Sequence, residues 1–160
     1  MIDESTEFGA RVARHLREET IVWLTTVTPS GAPLPRPVGF LWDEGENISV
    51  YSQPGARIRN IVANPKVTLN FRGDDSGGDI VVLSGTAQVD ESCPSATEDA
   101  AWVAKYATEW ERYGMTAESF AQRFNVAVRI RIRSVYGSWG PASFAREPTA
   151  IARRCAGSRT

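Results

Sequence analysis

The segment from Asn125 to Val135 alternates apolar and arginine residues along its length. Valine or isoleucine occupies every even position from 126 to 132, and the odd positions carry Arg129, Arg131 and Arg133. Because successive side chains of a strand point to opposite faces of a sheet, this pattern predicts a strand with one face on a core. The arginine row is either an ordinary solvated face or a surface that attracts an anionic cofactor tail.

Strand patterns of this kind dominate the chain, and short turns such as Thr28–Gly31 and Glu44–Asn47 separate them. The six predicted strands are Ile21–Thr28, Val38–Trp42, Ile48–Ser52, Lys66–Arg72, Ile80–Val89 and Val126–Ile132. Pro35 and Pro37 before the second strand indicate an edge or a bulge, and Gly85 predicts a bulge or a close backbone approach. Helices do not regularly separate the strands. The pattern therefore predicts a mainly β (α+β) fold, a six-stranded antiparallel barrel with flanking helices.

Helical periodicity is confined to four segments. They are a helix capped by Ser5 or Thr6 that runs to about Glu18, and helices over Ala56–Ala63, Ser95–Tyr113 and Ala117–Phe124. His15, the single histidine, lies on the polar side of the first helix, which predicts a surface residue. With one histidine and two scattered cysteines, we expect no metal site.

The length of 160 residues suits one domain, which we assign to residues 1–146, followed by a basic, flexible tail over residues 147–160. The net charge of -1 gives no global preference for nucleic acid or for a membrane surface. Cys93 and Cys155 lack paired spacing, as is typical of a reducing compartment, and there is no apolar signal segment. These features predict a cytoplasmic protein.

The stretch from Tyr51 to Pro65 combines a strand end, a turn and a short helix. It supplies the hydroxyl of Ser52, a Pro-Gly turn, and the guanidinium groups of Arg57 and Arg59. Free N–H groups at a helix start attract anions, and arginine fits phosphate with two parallel hydrogen bonds. The stretch is either the phosphate anchor of a flavin-like cofactor or a solvated helix that carries arginines.

Several motifs recur in one order along the chain. They read WLTTVTPSGAP over 23–33, PVGFLWD over 37–43, Tyr51-Ser52, RIRNI over 57–61 and NPKV over 64–67. In this order and spacing they resemble the pyridoxamine-phosphate-oxidase-like split β-barrel family, and more narrowly its actinobacterial branch that uses the deazaflavin coenzyme F420. The resemblance implies a six-stranded antiparallel split β-barrel and a homodimer with cofactor sites at the subunit interface.

The resemblance also implies positions for the cofactor. Ser52 and Arg57 match the family positions that contact the cofactor phosphate, and Arg59 lies beside Arg57 in the sequence. The residues that would lie along the ring or near it are Arg36, Val38, Gly39, Phe40 and Tyr51. A basic residue usually precedes the Arg57 position in the family, and here that residue is Ala56. Trp139 follows the last strand between glycines, where it would reach a cofactor or partner subunit, or cap the core.

The function that this resemblance implies is hydride transfer from reduced coenzyme F420 to a small unsaturated or carbonyl-bearing organic substrate. The proton would come from Tyr51, Tyr136 or water. One alternative is an FMN-dependent enzyme of the pyridoxamine-phosphate-oxidase type. Another is a non-enzymatic split barrel that binds a flavin or haem, because a fold alone does not decide function.

Overall fold

Seven strands and four helices make up residues 2–138, the part of the chain that the computed structural model describes. The helices are α1 (Glu7–Glu18), α2 (Ala56–Ala63), α3 (Ala100–Arg112) and α4 (Ala117–Arg123). The strands are β1 (Ile21–Val27), β2 (Pro33–Gly39), β3 (Leu41–Trp42), β4 (Asn47–Ser52), β5 (Lys66–Asn70), β6 (Ile80–Val89) and β7 (Val126–Ser138). Trp139 and the predicted C-terminal tail lie outside the described residues.

All seven strands belong to one antiparallel sheet, in the order β2-β1-β5-β6-β7-β4-β3. Its two edge strands, β2 and β3, are consecutive in the chain and are separated only by Phe40. The sheet must therefore curl until its edges meet at Phe40, which closes it into a split barrel. The main core fills this barrel with fully buried residues such as Val22, Leu24, Leu69 and Ile130. The predicted mainly β fold is confirmed.

The prediction of six strands was wrong because the predicted strand Val38–Trp42 is divided in two. Gly39 pairs with Ile21 of β1, whereas Leu41 pairs with Ser49 of β4 at the other end of the sheet. At the break, the Phe40 N–H donates to the Tyr106 hydroxyl oxygen at 2.6 Å. That hydroxyl lies 2.8 Å from the Thr20 carbonyl oxygen and 2.9 Å from that of Phe40, and it donates its proton to one of them at a time. A side chain from α3 thus replaces the missing ladder contacts.

The helices pack as the amphipathic patterns predict, with one shift in position. The Thr6 side chain accepts from the Gly9 N–H and starts α1, which buries Val12 and Leu16 in the main core. Helix α3 starts at Ala100 and not at Ser95, because the Asp99 carboxylate caps its first turn. Helices α3 and α4 carry most of a second apolar cluster, centred on Trp102, on the outer face of the sheet beside β4.

Two predicted irregularities of the sheet are confirmed. The register between β6 and β7 shifts between Ser84 and Gly85, and a Cβ atom on Gly85 would lie 2.6 Å from the Arg131 carbonyl oxygen. Strand β2 is an edge strand, and it carries Pro33, Pro35 and Pro37 at alternate positions. Within residues 2–138, no helix has the length and apolar character needed to cross a membrane.

Candidate anion-binding site at the start of α2

The first turn of α2 lies directly after β4, which ends at Ser52. Gly55 occupies the N-cap position and has no side chain to accept from the N–H groups of the first turn, which also contains no acidic residue. Uncapped N–H groups and the helix dipole make such a helix start locally positive. The start of α2 therefore attracts anions through its backbone, and positively charged side chains nearby add to this attraction.

Ser52 and Arg57 are in direct contact at this end. The Arg57 Nη1 atom donates to Ser52 Oγ at 3.0 Å, and Ser52 is almost fully buried. The Arg57 Nε atom is buried and has no hydrogen-bond partner among the described residues. Because an unpaired buried donor costs free energy, an anion that accepts from this guanidinium would stabilise the arrangement.

Arg36 adds a second positive charge beside Arg57. It pairs with Leu24 across the β1–β2 ladder, so its side chain is on the core face of the sheet, where the edge position leaves it exposed. Burial lowers the pKa of Arg57, and the charge of Arg36 lowers it further. In residues 2–138, neither guanidinium forms an ion pair with a carboxylate. The two like charges favour an anion.

The position of α2 against the sheet depends on a polar contact that the sequence did not single out. Asn60 Nδ2 donates to Thr26 Oγ1 at 3.1 Å, and both residues are buried. Thr26 continues the inward series of Val22 and Leu24, which was the available signal. This hydrogen bond fixes the helix that carries Arg57 to the strand next to Arg36.

Tyr51 lies away from this site, although it is adjacent to Ser52 in sequence. Neighbouring residues of a strand point to opposite faces, and Tyr51 belongs to the outer cluster with its ring edge-on to Trp102. Its hydroxyl donates to the Pro94 carbonyl oxygen at 2.8 Å. Burial and the nearby Cys93 thiol raise the pKa of Tyr51. The hydroxyl is thus engaged on the other side of β4.

The other predicted ring and phosphate contacts are distributed unevenly. Val38 shares the face of Arg36 and is 6% exposed, which gives the site an apolar neighbour. Gly39 faces outward, and the Tyr106 ring lies 3.1 Å from where its Cβ atom would be. Phe40 is fully buried, and Arg59 is exposed with no side-chain partner among residues 2–138. The structure thus brings Ser52 and Arg57 together with Arg36 nearby, and Val38 lies on the same face of β2 as Arg36. Gly39, Phe40, Tyr51 and Arg59 are turned elsewhere.

The prediction that His15 is a surface residue was wrong. It is 5% exposed, because Asp79 from the loop before β6 covers it and its Nε2 atom lies 3.1 Å from Asp79 Oδ2. The same carboxylate accepts from Arg11 at 2.7 Å and from Arg14 at 3.1 Å. The charges of Arg11 and Arg14 are therefore compensated within the fold.

The arginine row of β7 is also partly compensated. Arg129 forms an ion pair with Asp90 at 2.7 Å, and Arg131 forms one with Glu46 at 2.9 Å. These pairs favour the solvated-face interpretation over attraction of a cofactor tail. Over residues 2–138, no three His, Cys, Asp or Glu side chains form a group suited to a metal ion.

Comparison with solved structures shows the same fold in proteins of several descriptions. An F420 reductase is 25% identical, with 76% of this chain and 94% of that chain covered and a TM-score of 0.53. General Stress Protein 26 from Bacillus anthracis is 18% identical, with 82% and 93% covered and a TM-score of 0.62. The haem storage protein HutZ from Vibrio cholerae is 18% identical, with 82% and 95% covered and a TM-score of 0.58.

The search among curated protein sequences found no match. The family model for pyridoxamine 5'-phosphate oxidase matches residues 8–138, which include all seven strands and all four helices except the first residue of α1. A match over most of the chain, together with the split barrel, establishes the relationship. The chain belongs to the pyridoxamine 5'-phosphate oxidase family.

Proposed function

We propose that this protein is a cytoplasmic, homodimeric oxidoreductase that uses coenzyme F420 to transfer hydride to a small unsaturated or carbonyl-bearing organic substrate. One observation carries the proposal. Arg57, with a buried and unpartnered Nε atom, lies beside Arg36 and bonds Ser52 at an uncapped helix start. This arrangement suits a phosphate, which is the anionic group that flavin-type cofactors share.

The residues of the site have separable roles in this proposal. Arg57 and Ser52 would hold the phosphate, and Val38 would offer an apolar contact to the ring system beside Arg36. The deazaflavin supplies the hydride chemistry when it is bound. The protein orients the ring. Tyr51 has no contact with Ser52 or Arg57, and its hydroxyl donates to the Pro94 carbonyl oxygen on the other side of β4. We therefore favour water or Tyr136, which is 38% exposed, over Tyr51 as the proton source.

Two observations favour coenzyme F420 over FMN. The ordered motifs resemble the F420-using branch of the family, and an F420 reductase is among the similar structures, at 25% identity. FMN remains the second candidate, because the matched family model is that of pyridoxamine 5'-phosphate oxidase. Both cofactors carry a phosphate that the Arg57 site would accept, so the choice between them needs a direct binding measurement.

The dimer is proposed from an exposed apolar strip on the outer face of β1 and β2. Ile21 is 48% exposed and Trp23 is 47% exposed, and their register partners across the ladder are Gly39 and Pro37. Large apolar side chains exposed next to one another mark interaction surfaces. A second copy on this strip would cover the edge near Arg36.

Trp23→Arg should convert the dimer to monomer in sedimentation, whereas Val62→Arg on exposed α2 should leave it dimeric. A wild-type protein that sediments as a monomer at micromolar concentration would refute the dimer.

The test of function is fluorescence titration of the purified protein with coenzyme F420 and, separately, with FMN. Arg57→Ala should weaken cofactor binding about ten- to hundredfold, because a charge-assisted phosphate contact contributes roughly 1.5–3 kcal/mol. Arg59→Ala removes the same charge from the same helix at an exposed position, so it should weaken binding much less, through the salt-screened tail contact alone. Equal losses in the two variants would show that the phosphate does not bind at Arg57.

Cofactor identity and activity are decided by two further results. Purified protein that carries near-stoichiometric FMN and does not bind coenzyme F420 would replace the proposal with the FMN alternative. Tight F420 binding without hydride transfer to any of a panel of enones and aldehydes would favour a storage or sensor role over an enzyme.

A further inference from the structure

Lysine is rare in this chain, which contains sixteen arginines but only Lys66 and Lys105. Lys66 is exposed at the start of β5, whereas Lys105 on α3 is half-buried. The Lys105 Nζ atom donates to the Leu16 carbonyl oxygen at 3.3 Å and lies 4.0 Å from the centroid of the Phe40 ring. No carboxylate among residues 2–138 forms an ion pair with it. The Lys105 amine therefore lies against Phe40, the residue at which the two edges of the sheet meet.

This amine faces a cavity of about 530 Å³ between the end of α1, β3 and α3. Leu16, Leu41, Trp42 and Ala101 provide apolar walls. A cavity of this size with apolar walls and a few polar groups, here Arg17, Asp43, Glu44 and Lys105, is typical of small-molecule sites. It is separate from the Ser52–Arg57 site, with which it shares no lining residue.

The charged groups around Lys105 come from two elements besides its own. At the end of α1 are Arg17, which is paired with Glu4 and Glu44, and Glu19. The turn after β3 contributes Asp43 and Glu44 to the cavity lining. Burial lowers the pKa of Lys105 to about 8, although the Glu19 charge opposes this change. A substantial neutral fraction is therefore present near pH 7, which an ordinary lysine lacks.

We propose that Lys105 is a covalent capture site for small neutral aromatic or apolar aldehydes, which it binds as an imine. The amine lone pair adds to the carbonyl carbon, and the resulting carbinolamine loses water to form the C=N bond. Electrons and atoms balance without an oxidant or reductant. The neutral amine can donate one of its two N–H groups to the Leu16 carbonyl oxygen while its lone pair adds to the aldehyde. Both hydrogens leave in the released water, so this hydrogen bond ends when the imine forms.

The lining residues determine the class of aldehyde. Arg17 compensates the charge of Glu44, so the carboxylate of Asp43 is the group that disfavours anionic electrophiles. The indole of Trp42 favours an aromatic partner. The proposal is independent of the cofactor, because neither Arg57 nor Ser52 takes part.

The test uses full-length protein, benzaldehyde and cyanoborohydride, which converts the imine to a stable secondary amine. Peptide mapping by mass spectrometry then compares the two lysines within the same molecule. Lys105 should be labelled at least about tenfold faster than Lys66 near pH 7.5, because each unit by which a pKa is lowered raises the neutral fraction about tenfold. Lys105→Arg should abolish this fast labelling, and Lys66→Arg should leave it unchanged.

Two further measurements separate capture from mere accessibility. Toluene has the shape of the probe but cannot react, and it should slow labelling of Lys105 without affecting Lys66. The labelling rate of Lys105 should level off above pH 8. If Lys105 is labelled no faster than Lys66, or if toluene has no effect, Lys105 only caps the carbonyl end of α1 and the proposal is wrong.

Discussion

Two groups of arginines in this protein differ in whether a carboxylate accompanies them. Arg11 and Arg14 of α1 both bond to Asp79, which also contacts His15. Arg36 and Arg57 lie beside each other, and within the described chain neither forms an ion pair. Both groups are positive and both lie at the boundary between a helix and the sheet, so composition alone does not distinguish them.

The difference separates charges that hold the fold from charges that await a ligand. Around Asp79, each positive group gains a partner on folding, so the cluster stabilises the native state. Around Arg57, burial and a like charge both oppose the charged form, so the arrangement costs free energy until an anion arrives. Two neighbouring arginines without a carboxylate partner are therefore better evidence for a binding site than the number of arginines in a segment.

The largest expected effect is the loss of stability on removal of the Asp79 charge. Partial burial would raise the pKa of Asp79, but the hydrogen bond from Arg11 and the nearby His15 ring outweigh it and lower the pKa to about 2. Asp79→Asn should lower the free energy of unfolding by about 2–3 kcal/mol in urea denaturation, because one pKa unit corresponds to about 1.4 kcal/mol. Asparagine also tolerates the positive φ of 51° at Asp79, so the variant tests charge and not backbone strain.

Asp75→Asn in the same loop is the control, since Asp75 is 94% exposed and should have little effect. Because the pKa of folded Asp79 is below that of an unfolded aspartate, its contribution is complete above about pH 5 and disappears as the pH falls through 2. The gap between the wild type and Asp79→Asn should close over the same range. A gap that persists at the acid end would mean that the carboxylate does not act through its charge.

A smaller contrast is expected between arginines of the two groups in the cofactor-free protein. Arg11→Gln should cost about 1–2 kcal/mol, because it removes a charge-assisted hydrogen bond that is partly exposed. Arg57→Gln should change stability by less than about 1 kcal/mol, since the lost hydrogen bond to Ser52 is offset by relief from Arg36. Thermal and urea unfolding of both variants would measure this. An equal cost for both would remove the distinction between the groups.

The smallest expected effect is a difference in salt dependence between two ligands. Coenzyme F420 extends a carboxylate-rich tail beyond its phosphodiester, whereas FMN ends at its phosphate. Exposed Arg36 and Arg59 would attract this tail, and salt screens exposed charges. Affinity for coenzyme F420 should therefore fall more steeply with ionic strength than affinity for FMN, as measured by fluorescence titration in rising sodium chloride. Parallel slopes would show that the tail gains nothing from these arginines.

Arg72 ends the predicted strand Lys66–Arg72, and this position in the sequence predicts that it also attracts the tail. The structure instead pairs it with Asp75 at 3.0 Å in the loop before β6. Loop geometry decides such contacts, and alternation patterns do not describe loops.

The sequence was sufficient for features that depend on local pattern. Helix α2 and strand β6 have the predicted bounds. Ser52 and Arg57, which were both predicted to contact the phosphate, form a hydrogen bond with each other. The opposite orientation of Tyr51 was also available, because alternation places it on the other face from Ser52. The family resemblance instead implies a position for Tyr51 near the cofactor, whereas its side chain lies in the outer cluster, as the alternation indicates.

Features that depend on distant segments were not predictable from local pattern. The division between β2 and β3 depends on Tyr106, which lies 66 residues beyond Phe40. The burial of His15 depends on Asp79, from a loop that no periodicity describes. In each case, a side chain from a distant part of the sequence contacts the group in question. Local pattern alone predicts that the Phe40 backbone pairs within the sheet and that His15 contacts solvent.

The prolines of β2 have a consequence for how copies of this protein meet. In an antiparallel strand, the N–H and C=O groups of one residue point to the same side, and this side alternates from one residue to the next. The residues between the prolines supply the N–H groups that bond to β1, so the prolines themselves face away from β1. The outer rim at Pro33, Pro35 and Pro37 therefore presents carbonyl oxygens and no N–H groups. Two such rims cannot zip together, since each offers only acceptors. Open-ended strand stacking into fibrils is blocked at this rim, although it lies next to the most apolar exposed surface of β1.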